Sequence, residues 1–299
     1  MEAIVQQDFN GIDSLTLKTL PQPRPNPMTN LIQVKYNPVL PYDILGEQGA
    51  LGQVPLPRII GYGFAGTVVQ AGALNTHKVG QRVIGVTPQG SFAQYVVPTI
   101  PLYTFVLPES VSLAAGATVI GGADAAWLFW QTSGVQAGDS AVILGASGGV
   151  GTYLVQLLTR AGVQVHILAS KRSAAFIKTN FKKTTVYEEA TAIPRQAMDY
   201  LFDLTGNIAL VTQLEAVLKP GGQLLVAGLP DYTAHRADIR VQFSNHPLAP
   251  TSYQQILTLL QNGDLKAYID TTYNYQDIQS AQHHVLSAAK RGRTLVQFA

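Results

Sequence analysis

The sequence predicts an α/β protein in which a β-rich portion is followed by a doubly wound parallel sheet. Up to about residue 112 the chain runs in short extended stretches, "LIQVKY", "AGTVVQAG", "QRVIGV" and "FAQYVV", broken by prolines at 21, 23, 25, 27, 38, 41, 55 and 57. Proline at that density removes amide donors and excludes long helices. From Leu113 the texture becomes Ala-rich and apolar, and strand-like and helix-like segments then alternate from "SAVILGAS" to "QLLVAGL", the pattern of βαβ units around a parallel sheet. Beyond about residue 250 come a helix ("SYQQILTLLQNG"), a strand ("LKAYIDTTY"), a second helix ("DIQSAQHHVLSAAKRG") and a last strand ("RTLVQF"). The expected segments are therefore 1–112, 113–245 and 246–299.

Composition narrows the function classes. Of 299 residues 46% are hydrophobic, which suits folded cores rather than disorder. A net charge of +2 and no basic run with interleaved aromatics give no reason to expect nucleic acid. The chain has no cysteine, so it carries neither a disulfide framework nor a thiolate metal site. No window reaches the roughly 18 apolar residues of a membrane span. Glu2, Gln6, Gln7 and Asp8 do not resemble a secretory signal, and cytoplasmic residence is the expectation.

The stretch "ILGASGGVG" (143–151) carries the chemistry and has two readings. Gly145 to Gly149 fits G-x-S-x-G, the turn that presents a nucleophilic serine. Ala146, Ser147, Gly148, Gly149, Val150 and Gly151 fit a dinucleotide fingerprint whose first glycine has become alanine. Glycines at 148 and 151, where backbone meets pyrophosphate and helix meets strand, favour the second reading. The following segment has Val150, Tyr153, Leu154, Leu157, Leu158 and Ala161 on one helical face, with Gly162 as its stop. A hydrolase would also need an acid and a histidine, for which Asp203 with His246 or His283 are available.

About 20 residues beyond the turn, an NAD site places an acid on the ribose, whereas an NADP site accommodates a phosphate. Here "LASKRS" supplies Ser170, Lys171 and Arg172, and no Asp or Glu occurs from Ser140 to Tyr187. NADPH is the expected cofactor.

Seven motifs in order, "PRIIGYGFAGTVVQAG", "VGQRVIGV", "GSFAQYVV", "VQAGDSAVILGASGGVG", "FDLTG", "LKPGGQLLVAG" and "GRTLVQF", resemble the medium-chain dehydrogenase/reductase superfamily, specifically its zinc-free quinone oxidoreductase-like branch. The resemblance implies a GroES-like catalytic domain, split between 1–112 and 246–299, around a Rossmann NADPH-binding domain at 113–245. It also implies cofactor contacts at Tyr187, Thr205, Gly228 and Leu229, the last three at strand ends where ligands bind in open α/β sheets. Zinc-dependent members have Gly-His-Glu where this chain has Gly61-Tyr62-Gly63, and a ligating Cys where Leu40 stands, so no metal site is expected. Histidines 77, 166, 235, 246, 283 and 284 offer no replacement set.

Hydride transfer to an activated carbonyl leaves charge on oxygen that needs a donor. Tyr42, in the "NPVLPYD" loop that resembles the family's substrate loop, is the first candidate and Tyr62 the second; either could simply line the pocket. The family often has "TAY" where the chain has Ala125-Ala126-Trp127, so a threonine hydroxyl is lost there; Asp124 nearby either compensates for it or is an exposed loop carboxylate, the plainer reading. The expected function is NADPH-dependent, zinc-independent reduction of quinones or activated enones by a homodimer. Two alternatives are an enoyl thioester reductase of the same superfamily and a non-catalytic NADPH-binding sensor or structural protein.

Overall fold

The computed structural model describes residues 1–52, 54–287 and 290–298. The chain forms two compact units, one of Met1–Gly121, Pro250–Ala288 and Arg293–Ala299, the other of Gly122–Ala249 and Ala289–Gly292.

The first unit opens with β1 (Glu2–Gln6), β2 (Thr16–Thr19), β3 (Leu31–Pro38), α1 (Pro41–Glu47), β4 (Arg58–Ile59), β5 (Gly63–Gln70), β6 (Arg82–Val86), β7 (Tyr95–Val96), β8 (Thr104–Val106) and α2 (Leu113–Ala117). The second contains α3 (Asp124–Ser133), β9 (Ser140–Leu144), α4 (Gly151–Arg160), β10 (Gln164–Leu168), α5 (Lys171–Asn180), β11 (Thr184–Tyr187), β12 (Met198–Asp203), α6 (Ile208–Leu214), β13 (Leu218–Val226) and β14 (Arg240–Phe243). The chain then returns to the first unit with α7 (Pro250–Gln261), β15 (Ile269–Asn274), α8 (Ile278–Leu286) and β16 (Arg293–Gln297).

In the first unit β2-β1-β4 form a small antiparallel sheet, and β15-β16-β3-β5-β6-β8 a larger one on which β7 also pairs with β3. Its core gathers Ile32, Phe64, Phe92 and Phe298 with Ile278, Ala281 and Val285 of α8 and Ile44 of α1. The segment "NPVLPYD", expected as a loop, contains the start of α1, because Pro41 occupies the first helical position, where its missing N–H costs nothing.

In the second unit the six strands run β11-β10-β9-β12-β13-β14, all parallel. Counted from β9 this is the order 3-2-1-4-5-6 of a doubly wound sheet, with its switch point between β9 and β12. The stripe expected on α4 buries Tyr153, Leu154, Leu157 and Leu158, and Gly162 follows in left-handed conformation.

The units divide at 121/122 and 249/250 rather than at 112/113 and 245/246. The Ala-rich texture starts earlier because α2 lies on β3, β5 and β6 of the first unit. The backbone then turns out of helix at Ile120 and Gly121 before α3. Asp124, read as an exposed loop carboxylate, is a buried residue in the first turn of α3 whose Oδ1 accepts the Ala125 N–H.

Phe92 is fully buried at the centre of the first core. Phe92→Ala should cost about 3–5 kcal/mol, read as a lower urea midpoint, with the far-ultraviolet spectrum retained at zero denaturant.

Candidate nucleotide-binding site

The glycine turn lies at the carboxyl end of β9, beside the switch point. Gly145 carries the positive φ, +80°, that reverses the chain, whereas Ala146 is buried in ordinary backbone. The chain reversal is thus made by Gly145, one residue before the alanine that stands at the first fingerprint position. Gly151 opens α4 hard against this turn: a Cβ there would stand 2.2 Å from the Gly145 carbonyl oxygen and 2.6 Å from Ala146 Cα. At Gly148 the nearest atom to such a Cβ is 3.4 Å away.

A nucleophile elbow holds its serine in strained backbone. Ser147 has negative φ, since Gln196 is the one non-glycine residue at positive φ among those described. The acid and histidines it would need are engaged elsewhere. Asp203 accepts from the Thr205 hydroxyl at 2.6 Å and from the Thr205 and Gly206 amides, His246 Nδ1 faces the Pro247 carbonyl, and His283 faces Asp13.

The other expected cofactor residues gather at the same edge of the sheet. Ser170 precedes α5 as its N-cap, and Lys171 and Arg172 form the first turn of that helix, exposed. Tyr187 ends β11; its hydroxyl lies 3.3 Å from His166 Nδ1 and its ring stacks on the imidazole, whose pKa burial pushes down. Thr205 follows β12, with its methyl 3.1 Å from the position of a Cβ on Gly145, while Gly228 and Leu229 follow β13. Tyr42 and Tyr62 belong to the first unit, where Tyr42 at 61% and Tyr62 at 37% relative exposure are both open to solvent.

Two features of this edge escaped the sequence reading. Asp203, fully buried, organises the Thr205 turn with the three bonds given above. Gly292 donates its N–H to the Ser147 carbonyl at 2.8 Å and forms a parallel bridge with Gly148, so the return segment braces the glycine turn. The signal was present in "GRTLVQF", whose glycine is the residue that docks.

At this edge, the positive end of the α4 dipole and a backbone without side chains at Gly148 and Gly149 suit an anionic dinucleotide. A GroES-like sheet unit and a Rossmann-like nucleotide unit in one chain define a class of oxidoreductases. The model of an alcohol dehydrogenase GroES-like domain matches residues 26–101, and that of a zinc-binding dehydrogenase matches 174–296. A probable quinone oxidoreductase of Schizosaccharomyces pombe is 31% identical over 222 residues, covering 71% of this chain and 66% of that protein. A chloroplastic quinone-oxidoreductase homolog of Spinacia oleracea is 25% identical, covering 99% of this chain and 98% of its own. The structure of the quinone oxidoreductase from Coxiella burnetii superposes with a TM-score of 0.89 at 25% identity, covering 100% of this chain and 99% of that one. The chain belongs to the medium-chain dehydrogenase/reductase superfamily, in its quinone oxidoreductase-like branch, and is an oxidoreductase of the kind that uses a nicotinamide cofactor. No helix among the described residues is long and apolar enough to cross a membrane.

The two glycines make contrasting predictions. Gly151→Ala should lose about 2 kcal/mol or more, because backbone on both sides of the new methyl must shift. Gly148→Ala should melt within a degree or two of the parent by calorimetry, about what an ordinary van der Waals contact requires.

Proposed function

We propose that the protein reduces quinones or activated α,β-unsaturated carbonyls with NADPH and without zinc. The observation that carries the cofactor choice is the first turn of α5. Lys171 and Arg172 stand there side by side and exposed, with no acid in that turn. Cations at the positive end of a helix dipole oppose the local field, and an anion beside them offsets that cost; Glu188 does so in part for Lys171, and a bound phosphate would do so for both. The 2′-phosphate is the group that distinguishes NADPH from NADH, and the end of β10 is where it falls in a wound sheet. Ser170 and Tyr187 offer hydroxyls beside it.

The donor set of the first unit does not fit a zinc ion. Leu40 is buried with its side chain over Gly121, where a Cβ would be 2.6 Å from Leu40 Cδ2. At Gly63 a Cβ would meet Ile120 at 2.6 Å and Pro38 at 2.9 Å, leaving no space for a glutamate. Tyr62, a poor metal ligand at neutral pH, occupies the position of the histidine. Among the described residues no three His, Cys, Asp or Glu side chains come together.

When bound, the cofactor supplies a hydride. The chain's own part is to hold the nucleotide at the β9 turn and to offer a proton donor for the oxygen of the acceptor. Tyr42, in the first turn of α1 and exposed, is the proposed donor, and Tyr62 the reserve. A phenolic O–H as donor suits conjugated acceptors, in which charge is already spread. The quinone oxidoreductases among the relatives support this acceptor class.

Paired fluorescence titrations with NADPH and NADH test the cofactor. NADPH should bind more tightly, and Lys171→Ala with Arg172→Ala should weaken NADPH about tenfold or more while leaving NADH unchanged. Equal affinity for both nucleotides overturns the assignment. In a quinone assay Tyr42→Phe should lower kcat about a hundredfold at similar KM; unchanged kcat transfers the role to Tyr62 or to solvent.

A further inference from the structure

Helix α1 buries two acids on one face. Asp43 and Glu47 lie four residues apart, Asp43 at 8% and Glu47 at 0% exposure. Neither has a salt-bridge partner among the described residues. Gln282 of α8, also at 0% exposure, donates from Nε2 to Glu47 Oε1 at 2.7 Å.

The remaining atoms of this pair pose a problem. Glu47 Oε2 and Gln282 Oε1 are both buried and both without a hydrogen-bond partner. A carboxylate oxygen and an amide oxygen are acceptors only, so an ionised Glu47 leaves both unsatisfied. A single proton on Glu47 Oε2 answers both, because the acid O–H then donates to Gln282 Oε1 while the amide N–H donates to Glu47 Oε1.

We propose that Glu47 is a neutral carboxylic acid in the folded protein at neutral pH, joined to Gln282 in a two-bond acid–amide pair that makes it the positioning residue of α1. The surroundings agree. Asp43, on the same helix, is a like charge. Arg58 of β4 is engaged through Nε with Gln6 Oε1 at 2.8 Å, and Gln6 Nε2 in turn donates to the Glu47 backbone carbonyl at 3.0 Å. Arg293 of β16 donates to the Val39 and Gly121 carbonyls. On α8, His283 and His284 face Asp13 and Asp270. These arginines act on the acids through space, Arg58 drawing both carboxyls down and Arg293 drawing Asp43 down, and burial outweighs them. Burial pushes Glu47 up to about 8 and Asp43 up to about 7.

The sign of the pH dependence follows. Unfolded, Glu47 releases its proton near its ordinary 4.5; folded, it keeps the proton until about 8. Between those values the folded state binds more protons, so stability falls as pH rises and levels off above about 8. Ionisation breaks the Glu47–Gln282 ring and loosens α1 from α8. The consequence for turnover rests on the proposed function, since α1 carries Tyr42; the protonation of Glu47 does not.

Carboxyl carbon NMR of glutamate-labelled protein and difference infrared spectra test it without nucleotide or acceptor. One glutamate should remain protonated at pH 7, and Glu47→Gln should remove its signals. In Glu47→Gln, an amide–amide pair keeps both hydrogen bonds without titrating, so the fall in Tm from about pH 6 to about pH 9 should become shallower. A Glu47 signal already ionised at pH 7 in the parent protein overturns the proposal even if the variant fails to fold. A variant whose Tm falls as steeply as the parent's also overturns it. If the quinone reaction is found, the decline in kcat/KM above about pH 8 should be relieved in Glu47→Gln; a relieved Tm with no quinone reaction leaves the pair intact and removes only the reductase reading.

Discussion

Everything at the nucleotide edge depends on how closely α4 can approach the end of β9. With 2.2 Å between a would-be Cβ at Gly151 and the Gly145 carbonyl oxygen, the helix begins where only glycine leaves space. That close approach sets the amino-terminal end of α4, the positive end of its dipole, at the carboxyl end of β9 beside the switch point of the sheet. It also fixes where the neighbouring strands must stop for their ends to share the same ligand. Thr205, Gly228 and the start of α5 are useful because the strands before them end level with this turn.

The two units handle buried acids in opposite ways. In the nucleotide unit Glu215 is almost fully buried, yet it accepts the Tyr232 hydroxyl at 2.6 Å and the His235 amide at 3.0 Å, and these donors hold its carboxyl below the ordinary range despite burial. Asp203 is likewise surrounded by donors. Glu215 is thus held toward its ionised form by donors built around it. Asp43 and Glu47 have few donors, so desolvation dominates. Location inside the protein did not decide the outcome; the supply of N–H and O–H groups did.

The alternation of strand and helix between 140 and 226 was legible because side-chain periodicity is a local property, and so was the glycine turn, whose spacing is its mechanism. The family motifs extended that reading to the sheet of the first unit. Three things were not legible. Helix α1 was hidden because two prolines bracket its start, and proline at the first helical position looks the same in sequence as proline in a loop. The boundary at Gly121 was hidden because α2 has the helical texture of the second unit but belongs to the first, where it lies on that unit's own sheet. Gln282 and Gly292 were hidden because their partners lie far away along the chain, which leaves no pattern in the order of side chains, and Asp203 was visible as an acid without its role, because two of its three donors are backbone amides.

The hydrogen bond from the Gly292 amide to the Ser147 carbonyl has a consequence for the order of assembly. All six strands of the parallel sheet are complete by Phe243, so the sheet can form early as the chain emerges from the ribosome. Its glycine turn stays unbraced until residue 292 has emerged. A nascent chain therefore carries a finished sheet before a finished ligand edge.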